Sequence, residues 1–191
     1  MKEYLTLKKE VLSRLENELP NNLRYHDVAH ILDVFEVCNQ YIKRLDLSEK
    51  DACELRLGAL MHDIGFIKGN VNHEEVGAKM AEEMLLEHQI DRDCIDRIKG
   101  LIMATKIPQT PTTELQKILC DADLDYLGRD DYPEISSKLF EELKLADIVG
   151  TEEDWKNIQV KFLKAHSFHT EFAKKNREPK KQLWLKKIEN S

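Results

Sequence analysis

The chain has 191 residues, 41% hydrophobic and 34% charged, with only seven glycines and five prolines. That balance fits a soluble, helix-rich globular protein large enough to bury a proper core. The formal charge of −7 at pH 7 excludes non-specific duplex binding as the main task. No apolar run approaches membrane-spanning length, and Met1-Lys2-Glu3-Tyr4 does not open a signal peptide, so a cytoplasmic protein is expected. Cys38, Cys53, Cys94 and Cys120 are scattered without a C-x-x-C pair and read as reduced core thiols.

The apolar spacing predicts helix after helix and no strand. A first helix is expected from about Glu3 to Leu19, stopped by Pro20. A polar entry, residues 21–27, leads into a second helix reaching about Leu45, whose apolar stripe has His30 at its head. Ser48 with Asp51 resembles a capping box and starts the helix that ends at His62-Asp63. In that helix Leu57, Leu60, Met61 and Ile64 form a core-facing stripe. His62 lies over Gly58 and Ala59, small residues that would let the His30 helix come close. Gly65 suits a left-handed residue just past a helix end.

Further along, Asn72 is expected to cap a helix through about His88, and Asp91 to open another ending near Lys106. Thr112 or Thr113 would cap the helix carrying Cys120-Asp121-Ala122-Asp123. A helix follows from about Tyr132 to Ala146. A long one should run from Thr151 to about Asn176, and a basic one should begin near Pro179. The expected fold class is all-α, without repeats or a clear linker.

A histidine and a carboxylate side by side at the end of a buried helix must be paired or must bind something. His30, His62, Asp63 and one aspartate of Asp121-Ala122-Asp123 would together make a mixed nitrogen and oxygen metal site. Two imidazoles with two carboxylates suit Mn, Fe, Co, Ni or Zn better than Mg. Asp121 and Asp123 point in nearly opposite directions on a helix, so one can ligate while the other serves a second shell or the helix end. Spacing leaves the choice open. Each piece also has an ordinary structural reading: His30 as a packed core residue, His62 as a histidine favoured by a helix C-terminus, the aspartates as a solvated face.

Taken together, the ordered pattern His30, His62-Asp63, Asp123 resembles the H…HD…D signature of the HD-domain metal-dependent phosphohydrolase superfamily. Tyr25-His26-Asp27-Val28-Ala29-His30 is similar to the family's Y-H-x-x-x-H entry. Leu60-Met61-His62-Asp63-Ile64-Gly65 is close to its L-x-H-D-I-G core, and Asp121-Ala122-Asp123-Leu124 resembles its D-A-D or A-D-L segment. The second aspartate is the usual ligand there, which points to Asp123. The resemblance covers about residues 22–130, and residues 131–191 are expected to complete a single HD-type helical bundle.

The resemblance implies a divalent metal held between helices by His30, His62, Asp63 and Asp123, and hydrolysis of a phosphate ester, of a nucleotide or a related small molecule. Asp63 could also take the proton of the attacking water. His26, one turn before His30, is the candidate general acid, as in cyclic-nucleotide phosphodiesterases of the superfamily. Arg24, Lys68, Lys106 and Arg129 flank the motif segments as candidate phosphate contacts, of which one or two are expected to touch substrate. His73 follows the HD helix where two-metal members place a further histidine. The stretch Ile102–Lys106 offers no additional one, so His73 is read as a substrate contact or a water-linked neighbour of a single metal. His166 and His169 are expected to pack or lie at the surface. Two other classes are an HD-fold iron-dependent oxygenase, which needs extra ligands, and a non-catalytic regulatory module with a degenerate site. The oligomeric state is not legible.

Overall fold

A computed structural model describes residues 2–191, with side chains from Tyr4 onward. It contains α1 (Lys2–Glu18), α2 (Val28–Leu45), α3 (Glu49–Met61), α4 (His73–Glu87), α5 (Arg92–Ala104) and α6 (Glu114–Asp123). α7 (Tyr132–Leu145), α8 (Glu152–Ala165), α9 (Glu171–Asn176) and α10 (Glu178–Glu189) complete it. Short 3₁₀ turns follow α3 at Ile64–Lys68 and α6 at Asp125–Gly128, and there is no strand among the described residues. No helix is long and apolar enough to cross a membrane.

Local chemistry explains most boundaries. Asp27, Ser48, Asp91, Thr113, Thr151 and Thr170 each accept a backbone N–H of the first turn of α2, α3, α5, α6, α8 and α9. Thr113 is chosen over Thr112 because Gln116 closes a reciprocal capping box with it. Asn72 stands before α4, but it is left-handed (φ 52°) and its side chain makes no capping bond.

Three apolar clusters hold the bundle. The first joins α1, α3, α4 and α5 through Val11, Leu15, Leu60, Met84, Leu85 and Ile98. The second packs α2 against α3 and α6 through Val34, Cys38, Leu55, Ala59, Leu119 and Ala122. A third gathers Tyr25, Leu124, Tyr126, Leu163, Phe168 and Leu185 from the motif region and the C-terminal helices. Cys38 and Cys120 are buried thiols as expected; Cys53 and Cys94 are only partly covered.

Two glycines have other reasons than the sequence indicated. Gly65 is not left-handed: it lies inside the 3₁₀ turn, and the chain's positive-φ glycine is Gly69. A Cβ at Gly65 would sit 1.9 Å from the His73 carbonyl oxygen, so glycine is required by the approach of α4. Gly58 faces Leu101 of α5 rather than α2, with 2.8 Å from an added Cβ to Leu101 Cδ1. Gly65→Ala must displace backbone and is expected to lose about 3 kcal/mol, whereas Gly58→Ala meets a movable side chain and should lose about 1 kcal/mol. Urea midpoints of the two variants check the order; equal losses would contradict it.

The long helix expected over Thr151 to Asn176 is interrupted. α8 stops at Ala165, and the N–H groups of His169 and Thr170 donate to Asp121 at 2.8 and 2.7 Å. A buried carboxylate needs donors, and only backbone freed from a helix can supply two adjacent ones. The break is fixed on its other side by Lys181, 0% exposed, whose ammonium donates to the His166 carbonyl at 2.6 Å and to Glu178 at 2.9 Å.

Candidate metal centre

The end of α3, the first turns of α2 and the last residue of α6 converge where the three clusters meet. His30 Nε2 and His62 Nε2 lie 3.3 Å apart. Asp63 Oδ2 is 3.2 Å from His62 Nε2 and 3.5 Å from His30 Nε2. Asp123 Oδ1 is 3.2 Å from His30 Nε2 and 3.6 Å from His62 Nε2. Donors about 2.0–2.2 Å from a shared cation stand roughly 3.0–3.5 Å from one another, which these separations match.

The donor chemistry fits a cation as well. Asp63 is 4% exposed, and its Oδ2 is buried without a hydrogen-bond partner while facing both imidazoles. An orphaned buried carboxylate oxygen is costly unless something positive meets it. His62 Nδ1 lies 2.8 Å from the Ala59 carbonyl, so Nδ1–H donates there and the Nε2 lone pair is left for a ligand. That bond places the imidazole over α3's own last turn, while the small side chain of Ala59 packs with α2 and α6, as expected from the sequence. Without a cation, burial opposes charge on His62, but the neighbouring Asp63 and Asp123 carboxylates outweigh it and raise its pKa, so a metal binding at Nε2 releases a proton. Burial likewise opposes ionised Asp123, yet its bonds to His30 and His62 bring it down to about 2. Asp63 is held far below the usual carboxylate range, the His62 charge overriding burial. Both aspartates are anionic across the physiological range, which is what a metal ligand requires.

Asp121, the alternative to Asp123, faces away and holds the break before α9. His26 lies beside the four donors, its ring 6.1 Å from that of His30. Its Nδ1 forms a short hydrogen bond with Glu142 Oε1, and Glu142 Oε2 accepts the backbone N–H groups of Arg24, Tyr25 and His26 at 2.8, 2.8 and 3.0 Å. Burial opposes the imidazolium, but the Glu142 bond and the Asp63 charge prevail, so the His26 pKa is raised. Phe66 is stacked between His26 and His73, with centroids 4.2 and 4.1 Å away. His73 Nε2 lies 3.7 Å from Asp63 Oδ1 and 3.5 Å from Glu74 Oε1.

A cavity of about 270 Å³ opens beside the centre and is lined at that end by His26, Asp63, His73, Glu74 and Asp123. The four expected phosphate cations are not on its wall. Arg24 lends its backbone N–H to Glu142 and lies beside Arg129 on another face. Arg129 is bound by Asp33, Asp131 and Asp125. Lys106 pairs with Glu75, and Lys68 is exposed at the end of the 3₁₀ turn. Each cation found a carboxylate or solvent, the usual fate of a surface charge.

Glu142 and Phe66 were not singled out from the sequence. A signal for Glu142 exists: with Tyr132, Ile135 and Leu139 it falls on the apolar stripe of α7, where a carboxylate is out of place. Phe66 gives no such signal, since an apolar residue after the HD helix is ordinary.

A model of the HD domain matches residues 27–125, more than half of the chain, and spans His30, His62-Asp63 and Asp123. The chain belongs to the HD domain family. Among solved structures, it resembles a crystal structure described as a predicted HD superfamily hydrolase from an uncultured Thermotogales bacterium. The two are 22% identical with a TM-score of 0.61, covering 100% of this chain and 90% of that one, which establishes a shared HD fold. No curated protein matches the chain. As an HD domain with a His30, His62 and Asp123 cluster, the chain has the makings of a generic HD-type metal-dependent hydrolase.

Proposed function

We propose that this HD domain, residues 1–191 acting as one unit, is a metal-dependent phosphohydrolase that cleaves a phosphate ester of a nucleotide or related small molecule. The observation that carries the reading is the convergence of His30, His62 and Asp123, with the orphaned Oδ2 of Asp63 facing both imidazoles, beside a cavity that also holds His26. His30, His62, Asp63 and Asp123 would hold the cation. When bound, a divalent cation there polarises a phosphoryl oxygen and lowers the pKa of water.

The chain's own residues supply the rest. Asp63 turns Oδ2 to the donors and leaves Oδ1, toward His73, to take a proton from the attacking water. Water attacks phosphorus and the bond to the alcohol oxygen breaks. His26 then gives its Nε2 proton to that leaving oxygen. With Nδ1–H committed to Glu142, Nε2 is the nitrogen left to meet a substrate. A di-iron oxygenase would need ligands for a second metal beyond these four; His73 Nε2, 3.7 Å from Asp63 Oδ1, is committed to no such set.

A phosphatase screen of nucleotides, cyclic nucleotides and sugar phosphates, each with Mn, Co, Ni, Fe or Mg, tests the reading. Turnover is expected with one or more of the first four at rates above those with Mg. Absence of hydrolysis with every metal would overturn it.

A further inference from the structure

The cavity beside the donors is asymmetric in a way the hydrolytic reading does not use. Its metal end carries three carboxylates, Asp63, Glu74 and Asp123, and no lysine or arginine lines it among the described residues. Its far wall is apolar, made by Leu124, Leu127, Leu139, Leu143, Trp155 and Phe162. The few polar groups there are turned to one another: Gln159 Nε2 donates to Tyr132 Oη and to Ser136 Oγ, both at 2.7 Å. Ile107 and Ile158, 51% and 39% exposed, continue the apolar surface outward. Nearby Lys106 is held by Glu75 and does not line the cavity.

A divalent cation held by the donors would balance one phosphate against these carboxylates. A second phosphate would lie against Glu74 or the apolar wall with no cation to meet it. Two like charges about 4 Å apart repel by several kcal/mol at the effective dielectric of a protein surface, and a desolvated anion fares worse. Every methylene or ring carbon laid on the wall gains instead.

We propose that the ligand of this cavity is a monophosphate whose phosphate at the metal centre is its sole anionic group and whose body is apolar, a chain or ring system seated against Leu139, Leu143, Trp155 and Phe162. The inference rests on the phosphohydrolase reading for the position of the phosphate, and it narrows the substrate to uncharged-bodied monophosphates. Di- and triphosphates are excluded.

Non-hydrolysable phosphonates test the cavity apart from turnover. In calorimetric titrations of the Mn-loaded full chain, affinity should rise from methyl- through propyl- to hexylphosphonate. The expected rise is about fourfold per methylene, from ~0.8 kcal/mol for each one buried. Hexane-1,6-diphosphonate has the same head and length but a second anion at the wall, and it should bind at least 30-fold more weakly than hexylphosphonate. Ile158→Lys, at an exposed position where folding is not at stake, should narrow or invert that preference. Equal affinity along the series, or tighter binding of the diphosphonate, would overturn the inference.

Methyl and hexyl phosphate hydrolysis separates this result from the parent reading. Turnover of both at equal kcat/KM keeps the phosphohydrolase and overturns the apolar body. A chain-length slope in binding with no turnover of either keeps the cavity assignment and overturns the phosphohydrolase.

Discussion

His62→Ala is expected to purify with little bound metal and to lose activity by about 1,000-fold. The centre has four donors, and His62 is the one whose Nδ1–H is anchored on Ala59, so Nε2 cannot be replaced by rotation of a neighbour. Loss of a group that merely orients a ligand already lowers metal affinity 10- to 100-fold, and loss of a ligand should exceed that. Electrostatic stabilisation by a cation contributes several kcal/mol to the transition state, and each 1.36 kcal/mol is tenfold in rate. Thermal unfolding supplies a readout independent of activity. Metal at 100 times its dissociation constant should stabilise the wild-type chain by about 2.7 kcal/mol and leave the variant unmoved. Unchanged metal content in His62→Ala, measured by elemental analysis, would place the cation elsewhere.

His26→Ala is expected to keep its metal and to lose 10²- to 10⁴-fold in kcat on an ester with a poor leaving group. With a leaving group that departs without a proton, such as 4-nitrophenolate, the loss should be far smaller. Loss of metal in parallel with turnover would remove the general-acid role. The pH profile carries the same argument through Glu142. Burial alone would depress His26, and the Glu142 bond with the neighbouring charges raises it instead. An acid must be protonated to act, so activity persists below the raised pKa and falls as pH rises through it. Glu142→Gln keeps an oxygen for the backbone N–H groups of residues 24–26 but removes the anion beside Nδ1. Its alkaline limb should therefore move to lower pH. A limb that stays in place would make Glu142 a structural residue only.

Local patterns carried a large part of this protein. Helix spacing, side-chain caps and the two motif helices depend on residues within four or five positions of one another, and these determined the all-α class and most boundaries. The grouping of His30, His62, Asp63 and Asp123 was legible only through the resemblance of the motif order, since spacing alone does not bring together residues on α2, at the end of α3 and on α6. The choice of Asp123 over Asp121 could be read only through resemblance; the fold gives its physical basis, since Asp121 is committed to His169 and Thr170.

What tertiary structure alone decided lies in contacts across long stretches of sequence. The break between α8 and α9 exists because Asp121, some 48 residues earlier, needs two backbone donors. Gly65 is glycine because α4 passes over it, not because of its own φ. His26 owes its raised pKa to Glu142, 116 residues away on α7. The cations beside the motifs are drawn to carboxylates that sequence proximity does not reveal, Arg129 to Asp33 among them. Local spacing sets which faces are apolar and which ligands are available. The partner that a buried charge finds, and the wall that a substrate meets, depend on which distant helix packs over the site.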